Sequence, residues 1–486
     1  MPVSATYRPD PAFARIAAGA PYYDAVEAAE FPKHVLRYRN ERWAEKVGLG
    51  GLSDAEWIDH FGRFRPLPDN LEKPLALRYH GHQFRVYNPD IGDGRGFLFA
   101  QLRDGPKNEG GRLLDLGTKG SGQTPYSRSG DGRLTLKGGL REILATEMLE
   151  ALGVYTSKTF SLIETGEELF RGDEPSPTRS SVLVRLSHSH VRFGVFQRLA
   201  YEQDIAALAA LVDYCVGEFD PDLAALASAE KAVRFFERVL SRTARLAAQW
   251  MAAGFVHGVL NSDNMNVTGE SFDYGPWRFA PAADPSFTAA YFDQTGLYAF
   301  GRQSEAAAWN LARLGGALTL VAETEPLNAA FQKFPEAFEA AMADAYFRRL
   351  GLTRAGDQDF TLVVELLRWM EETRAPYEQV FFDWFCGSAS ADRAAKSPLA
   401  EQYRGDLFAP VREKLVAAEP EGAERLSHGY FRRAEPCTML IDEVEAVWDA
   451  IAESDDWSLL EAKIEEIVTV RDALGFDASA FPRDTR

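Results

Sequence analysis

The sequence predicts an α+β fold of two lobes: a strand-rich first lobe, then a helical second lobe that further helices follow. The first observation is the order of the patterns. Short strands and glycine turns dominate residues 75–186, and helical periodicity dominates after residue 198. The second is composition, since 46% hydrophobic and 26% charged residues in a chain of 486 suit a large buried core.

The first half of the chain combines strands with one long helix. The patterns predict helices at 53–64 and 137–152, a glycine turn that runs into a strand at 91–103, and another strand at 180–186. Ser53 is the expected N-cap of the first helix, and Gly153 is the expected stop of the second.

The second half is predicted to be largely helical. Periodic segments lie at 202–216, 228–253, 304–319, 326–350, 361–375, 441–452 and 457–474. These patterns divide the chain into an N-terminal extension, a first lobe, a second lobe and a helical C-terminal region, with bounds 1–70, 71–198, 199–355 and 356–486. The last dozen residues are expected to form a loose end.

Charge and cysteine content exclude several classes of protein. A net charge of -19 argues against nucleic-acid or anionic-membrane partners, because both favour clustered positive charge. No apolar run approaches the length of a membrane span, and residues 1–20 lack the apolar core of a secretory signal, so we expect a soluble protein. Three distant cysteines, Cys215, Cys386 and Cys437, indicate a reducing compartment, and we expect a cytoplasmic location.

A glycine-rich turn at 91–96 is the first candidate ligand site. Its glycines at alternate positions, such as Gly92 and Gly94, permit positive φ and let backbone N–H groups approach phosphate oxygens. Arg95 inside the turn can add a bidentate phosphate contact. Taken alone, the motif favours the alternative, an ordinary Asp-Gly turn between two strands.

Lys119 and Glu142 form the second candidate. The segment 116–122 is not a P-loop, because Gly120 follows the lysine where that motif has Ser or Thr. Lys119 is instead expected near the end of a strand, and Glu142 on the following helix. In kinase-type folds such a pair holds the lysine ammonium against nucleotide phosphates. The alternative is a surface lysine and a solvated glutamate.

More basic residues follow the lysine. The turn at 127–133 combines arginines with glycines and suits a polyanion, although ordinary turn chemistry explains its glycines as well. Arg185 closes an apolar strand and Arg192 comes soon after, and a half-buried arginine needs a phosphate or a carboxylate partner. A structural salt bridge is the alternative. His188 and His190 lack a third ligand nearby, so we expect no metal site there.

The strongest cluster lies at 257–273. It resembles the protein-kinase catalytic loop H-R-D-x-x-x-x-N and the D-F-G element, with Asn264 in the asparagine register and Asp273 opening Asp-Tyr-Gly. Val259 stands at the position of the usual base and cannot accept a proton. Asn264 and Asp273 offer the oxygen ligands that Mg²⁺ requires, which leaves Asp263 as a displaced base. The alternative is an Asn/Asp-rich turn, and the order of all the motifs argues against it.

Eight segments together closely resemble the selenoprotein O family over about residues 35–320. They are 79–84 (YHGHQF), 92–96 (GDGRG), 116–122 (LGTKGSG), 124–128 (TPYSR), 130–133 (GDGR), 190–194 (HVRFG), 257–265 (HGVLNSDNM) and 273–276 (DYGP). The resemblance implies a protein-kinase-like (pseudokinase) fold. It also implies a protein adenylyltransferase that binds ATP in a flipped orientation and transfers AMP to Ser, Thr or Tyr hydroxyls of proteins.

The resemblance implies roles for single residues as well. Matches to the family's ATP site, with Glu142 as the partner of the lysine, are Gly92, Gly94, Arg95, Lys119, Asp131, Gly132, Glu142, Arg185, Arg192 and Asp273. Asp263 matches the proposed proton acceptor. Asn264 and Asp273 match the ligands of Mg²⁺, for which Mn²⁺ is the alternative. The implied partners are ATP and protein substrates.

The cysteines depart from the family pattern. Redox-regulated members pair a cysteine beyond the DYG element with a cysteine or selenocysteine near the C-terminus. Residues 287–297 and 438–486 of this chain contain no cysteine, so we do not expect disulfide control by that route. Whether Cys386 and Cys437 approach closely enough to pair depends on the fold.

Three functions stay open at this point. AMP transfer to proteins is favoured, because Val259 replaces the kinase base while the expected ATP and metal ligands persist. A divergent kinase that transfers the γ-phosphate with Asp263 as its base is the second. A non-catalytic nucleotide-binding scaffold, which recruits partners through its C-terminal helices, is the third.

Overall fold

The computed structural model describes residues 4–16, 21–172, 174–356 and 359–476. Most of the predicted loose end at the C-terminus lies outside these residues, as does part of the N-terminal segment considered for a signal sequence.

The described strands form a large antiparallel sheet and two small pairs. They are β1 (Tyr23–Ala25), β2 (Val35–Arg39), β3 (Leu75–Leu77), β4 (Gly81–Gln83), β5 (Val86–Asn88), β6 (Leu98–Arg103), β7 (Leu113–Lys119), β8 (Leu134–Thr135), β9 (Lys158–Leu169), β10 (Thr178–Ser187), β11 (Phe255–Val256) and β12 (Arg278–Phe279). The large sheet has the order β1-β3-β6-β7-β10-β9-β2, with β8 added to β10, while β4 pairs with β5 and β11 with β12.

Three of the described α-helices lie among the strands of the large sheet, and the others follow its last strand. The helices are α1 (Glu41–Lys46), α2 (Asp54–Phe61), α3 (Leu136–Ala151), α4 (Phe193–Tyr201), α5 (Ile205–Phe219), α6 (Ser228–Ala252), α7 (Gln303–Leu318), α8 (Thr324–Phe331), α9 (Phe334–Leu350), α10 (Asp359–Thr373), α11 (Tyr377–Trp384), α12 (Ala391–Ala394), α13 (Ala400–Arg404), α14 (Ala409–Ala417), α15 (Ile441–Ser454) and α16 (Ser458–Leu474). Helix α6 packs against α7, α8 and α9, and α16 packs against α3.

The two faces of the large sheet belong to different cores, as the alternation of side chains along a strand requires. Leu183 of β10 joins the core that contains Leu140 of α3. Its neighbour Val182 faces the other way and joins the core that contains Trp57 of α2. Helix α3 therefore covers one face of the sheet, and the N-terminal helices cover the other.

The strand register brings two predicted site residues to one face. Lys119, the last residue of β7, lies opposite Leu183, and Gly117 lies opposite Arg185 of β10. Directly opposed residues in an antiparallel pair share a face, so the side chains of Lys119 and Arg185 are diagonal neighbours on the side of α3. The predicted place of Lys119, at the end of a strand, is confirmed.

Most predicted elements are confirmed to within three residues at their ends, and so is the mixed α and β character. Ser53 caps α2 through a capping box, and Gly153 has a φ of +80° after α3. The single helix predicted over 326–350 is wrong. Helix α8 ends at Phe331 and α9 begins at Phe334, because Pro335 in the first turn of α9 has no N–H with which to continue the preceding helix.

Other differences from the predicted elements result from pairing between distant segments of the chain. Strands β9 and β10 have 12 and 10 residues, where mostly short strands were predicted. Helical structure begins at Phe193, before the predicted start at 198. The segment 1–70 is integrated into the sheet, since β1 pairs with β3 and β2 pairs with β9. None of the described helices is long and apolar enough to cross a membrane.

Candidate active site

A cavity of about 620 Å³ collects residues from the strand-rich part and from the loop after α6. Ten of the twelve predicted site residues line it, namely Gly92, Gly94, Arg95, Lys119, Asp131, Gly132, Arg185, Arg192, Asp263 and Asp273. Glu142 and Asn264 are not among the lining residues. The fold thus joins most of the motifs into one site.

The cavity is basic, although the protein is acidic. Its basic side chains are those of Arg95, Lys119, Arg128, Arg133, Arg171, Arg185 and Arg192. Its carboxylates are Asp93, Asp131, Asp263 and Asp273. Seven cations against four carboxylates, in a chain of net charge -19, concentrate positive potential where a polyanion can bind.

Lys119 occupies the centre of a buried ion-pair network. Its Nζ lies 2.6 Å from Glu142 Oε1 and 2.8 Å from Asp273 Oδ1. Glu142 is 1% exposed and sits on α3, which packs on the sheet behind the lysine. The predicted Lys–Glu pair is therefore present, and the alternative of a surface lysine with a solvated glutamate is excluded.

Asp273 is surrounded by three cations. Besides Lys119, Arg185 Nη1 lies 3.5 Å from its Oδ1, and Arg192 Nη1 lies 3.3 Å from its Oδ2. Burial by itself would raise the pKa of Asp273, but the charges of Lys119, Arg185 and Arg192 hold it well below its ordinary value. Asp273 is therefore ionised, and it neutralises part of the cluster.

His257 and the backbone fix the position of Asp273. Burial lowers the pKa of His257, so the ring is neutral, and its Nε2 donates to the carbonyl of Phe272 at 2.9 Å. Asp273 itself has a φ of +62°, a left-handed conformation that costs free energy in a non-glycine residue. Such strain persists where the surrounding structure requires one orientation of the side chain.

Asp263 is a buried carboxylate with one unsatisfied oxygen. Within the described residues, its Oδ1 has no hydrogen-bond partner. Gly81 packs against it so closely that a Cβ on that glycine would lie 2.9 Å from Oδ1. Burial raises the pKa of Asp263 to about 6, although the charge of Arg192 opposes the shift. A carboxylate with these properties accepts a proton readily near neutral pH.

Asn264 follows Asp263 in a short 3-10 helix, Ser262–Asn264. Its side-chain Nδ2 donates to the carbonyl of Val259 at 2.9 Å, so the residue at the usual base position holds the asparagine in place. No group of three or more His, Cys, Asp or Glu side chains in the described part of the chain is arranged to hold a metal. The oxygens of Asn264, Asp273 and Asp263 nevertheless fit Mg²⁺, which takes one or two protein ligands and completes its shell with phosphate and water.

The glycine loop is shaped by packing. A Cβ on Gly92 would lie 2.4 Å from the ring of Tyr126, and a Cβ on Gly94 would lie 2.9 Å from the Tyr126 carbonyl. Neither residue is among the glycines with positive φ, so the prediction that positive φ requires glycine at these positions is wrong. Glycine is required instead because the segment 124–127 approaches the loop closely. Gly132 does require glycine for its conformation, with φ at +71°.

Sequence reasoning missed several residues of the cavity. Arg171 Nη1 is bonded to Asp131 Oδ2 at 2.8 Å, and no local motif marks that arginine. Asp93 Oδ2 accepts the backbone N–H of Leu77 at 3.0 Å and so ties the glycine loop to β3. Arg128 belonged to the arginine-rich turn, and its place in that turn was the signal that could have identified it.

The chain is similar to known proteins along most of its length. The chain matches the family described as protein adenylyltransferase SelO over residues 6–468. A relative from Synechocystis sp., named protein nucleotidyltransferase YdiU, is 42% identical over 456 residues, which cover 90% of this chain and 94% of the relative. Proteins of the same name are 44% identical over 470 residues in Gloeobacter violaceus, covering 92% of each chain, and 37% identical over 412 residues in Myxococcus xanthus, covering 84% of this chain and 81% of the relative. The chain therefore belongs to the SelO family of protein adenylyltransferases and is a nucleotidyltransferase.

Proposed function

We propose that the cavity binds ATP and that the protein transfers AMP from it to a Ser, Thr or Tyr hydroxyl of a protein substrate. One observation carries the proposal: Asp263, a buried carboxylate whose Oδ1 has no hydrogen-bond partner among the described residues, lines the same cavity as Lys119, Arg185 and Arg192. A proton acceptor and a polyanion site thus lie side by side, which nucleotide transfer to a hydroxyl requires.

In the proposed reaction, the acceptor hydroxyl gives its proton to Asp263 as its oxygen attacks the α-phosphorus of ATP. The bond from the α-phosphorus to the bridging oxygen of the β-phosphate breaks, and pyrophosphate leaves with the electron pair. Lys119, Arg185 and Arg192 stabilise the negative charge of the phosphates. Most of the rate enhancement then comes from positioning and charge neutralisation.

We assign Asn264 and Asp273 as the residues that hold Mg²⁺, with Mn²⁺ as the alternative. When bound, the metal supplies positive charge to the phosphate oxygens. Asp273 already attracts three cations, so it must share its oxygens between them and the metal. Lys119 retains Glu142 as a second carboxylate partner during this exchange.

We further propose that the fold is a two-lobed pseudokinase fold. One supporting observation is the ion pair of Lys119, at the end of a strand, with Glu142, on the helix that packs on that strand. The other is the hydrogen bond from His257 to the carbonyl of the residue before Asp273. Three free and buried cysteines support a reducing compartment, and we propose the cytoplasm.

A paired labelling experiment tests the proposal. The protein is incubated with Mg²⁺ and ATP labelled at the α-phosphate in one sample and at the γ-phosphate in the other. We expect protein-bound label from the α-phosphate only, and loss of that label in Asp263→Asn. Label from the γ-phosphate only would identify a divergent kinase. Bound ATP without any transfer would identify a nucleotide-binding scaffold.

A further inference from the structure

The hairpin of β4 and β5 leads from the cavity to the protein surface. Gln83 lines the cavity, and the ring of the next residue, Phe84, lies 5.9 Å from that of Phe292. The hairpin is bonded to the loop that carries Asp263, since the N–H of His82 donates to Ser262 Oγ at 2.7 Å. This part of the YHGHQF motif has no role in the nucleotide chemistry described above.

The surface beside the hairpin contains four exposed apolar side chains and two half-buried rings. We call it the aromatic patch and define it as Phe84, Val86, Tyr87, Tyr201, Tyr291 and Phe292. Tyr291 is 79% exposed and Val86 is 70% exposed. The rings form two contacting groups, because Tyr291 lies 5.1 Å from Phe292 and Tyr87 lies 5.6 Å from Tyr201, and the hairpin joins the groups. Exposed apolar surface of this kind marks a site of protein binding.

The turn of the hairpin adds an independent observation. Gln83 pairs with Val86, so the loop has two residues, and both Phe84 and Arg85 have positive φ, at +49° and +65°. This is a type I′ turn, in which Asn-Gly is the favoured pair. Bulky residues there cost free energy, because their Cβ atoms crowd the backbone. Strain of this kind is concentrated at functional sites and ligand clamps.

Arg85 does not make the patch basic, because its guanidinium is paired with Glu305 at 2.6 Å. The surface therefore suits an apolar side chain better than an acidic one. An extended chain advances about 3.3 Å per residue. Gly81 of the hairpin packs against Asp263 Oδ1, and Phe84 of the patch follows it by three residues. An apolar group bound to the patch thus lies within a few residues of a hydroxyl placed at Asp263.

We propose that the aromatic patch docks the protein substrate, an extended segment with a large apolar side chain close to its acceptor hydroxyl. The inference rests on the proposed function and names the substrate feature that the same site selects. It assigns the hairpin and the 291–292 segment to substrate binding, and leaves ATP binding to the cavity.

Two synthetic peptides test the proposal, each with one acceptor threonine, flanked by phenylalanine in the first and by glycine in the second. Transfer from α-labelled ATP is measured with the wild type, with Val86→Ser/Tyr291→Ser and with Leu407→Ser. Leu407 is 66% exposed and lies outside the patch, so it is a matched control. All three changed side chains are exposed, so the variants are expected to fold.

We expect the wild type to prefer the phenylalanine peptide by about tenfold in kcat/KM, which corresponds to about 1.4 kcal/mol. The double variant should lose this preference, mainly through a higher KM, while ATP affinity and transfer to the glycine peptide stay unchanged. Leu407→Ser should behave as the wild type.

Equal kcat/KM for both peptides in the wild type would overturn the docking proposal alone. A wild-type dimer that the double variant converts to a monomer, with unchanged peptide kinetics, would also overturn it and assign the patch to self-association. Absence of α-label on every protein and peptide acceptor would overturn the proposed function itself, and the docking proposal with it.

Discussion

The guanidinium of Arg471 in α16 is bonded to the carboxylate of Glu147 in α3. Glu147 lies five residues after Glu142, whose Oε1 is 2.6 Å from Lys119 Nζ. The Tyr38 hydroxyl donates to the same Glu147 carboxylate at 2.9 Å. Helix α3, which positions the cavity lysine, is therefore hydrogen-bonded both to the N-terminal segment and to the last described helix.

Arg471→Ala tests this connection. The change leaves Glu147, which is 3% exposed, without its cation, although Tyr38 still donates to it. We expect a loss of about 2–3 kcal/mol in the free energy of unfolding and a several-fold weaker affinity for ATP. Urea unfolding and ATP titration measure the two effects. As a control, Arg433→Ala breaks a more exposed ion pair with Glu466 of α16. This variant should lose less than about 1 kcal/mol in the free energy of unfolding. Equal losses in the two variants would contradict the special role of Arg471.

Lys119→Met should lower AMP transfer by at least about a hundredfold, because it removes a cation from the proposed phosphate site. It should also destabilise the protein, because the buried carboxylate of Glu142 would lose its ion-pair partner. Glu142→Gln added to Lys119→Met should restore much of the stability and none of the activity. Thermal unfolding and the α-label assay separate the two effects. Activity restored in the double variant would show that the lysine serves only to neutralise Glu142.

Asp263→Asn should stabilise the protein relative to the wild type as pH rises from 4 to 6. The pKa of Asp263 is raised from 3.8 to about 6 by burial, so the unfolded chain loses this proton at a lower pH than the folded one. Wild-type stability therefore falls by about 2 kcal/mol between pH 4 and 6, out of about 3 kcal/mol over the whole titration, and the asparagine variant lacks this pH dependence. Urea unfolding at pH 4, 5, 6 and 8 measures the difference. A pH-independent difference would refute the assigned titration.

The same carboxyl group should set the acidic limb of the pH–rate profile. As the proposed base, Asp263 must be ionised, so kcat/KM should rise with pH around 6 and level off above it. Glu270, whose pKa burial raises to about 7, does not line the cavity, so Glu270→Gln is the control. A limb that persists in Asp263→Asn, or that moves in Glu270→Gln, would assign the base elsewhere.

Asp273→Asn should uncouple ATP binding from the metal. The change removes one negative charge between Lys119, Arg185 and Arg192, so phosphates meet less competition for these cations. We expect ATP affinity measured in EDTA to rise several-fold, the effect of Mg²⁺ on that affinity to vanish, and AMP transfer to be lost. Isothermal titration with and without Mg²⁺ measures both affinities. A wild-type response to Mg²⁺ would remove Asp273 from the metal site.

Thiol oxidation should leave the activity unchanged. Cys215, Cys386 and Cys437 are free and buried, and burial raises the pKa of Cys386 to about 11. Such thiols contain little of the reactive thiolate at neutral pH. We expect equal transfer rates after treatment with dithiothreitol or with a mild oxidant, and the same rates in Cys386→Ser/Cys437→Ser. An oxidant-sensitive wild type with an insensitive double variant would reveal a disulfide switch.

Local patterns in the sequence predicted the position of most helices, the strand that ends in Lys119 and the identity of the candidate site residues. Helical and strand periodicities depend on residues that are close in the chain, so they can be read without the fold. The break between α8 and α9 was missed although Pro335 was visible, since a proline near the start of a helix is also compatible with a continuing pattern.

The arrangement of the candidate site residues depends on contacts between distant parts of the chain. It placed three cations around Asp273, left Asp263 Oδ1 without a partner in the described structure, and fastened α3 through Arg471. Burial and ion pairing depend on groups that are far apart in the chain, so no local pattern specifies them. Local sequence therefore specifies which chemical groups are available, whereas long-range packing sets their charge states, their partners and the surface beside them.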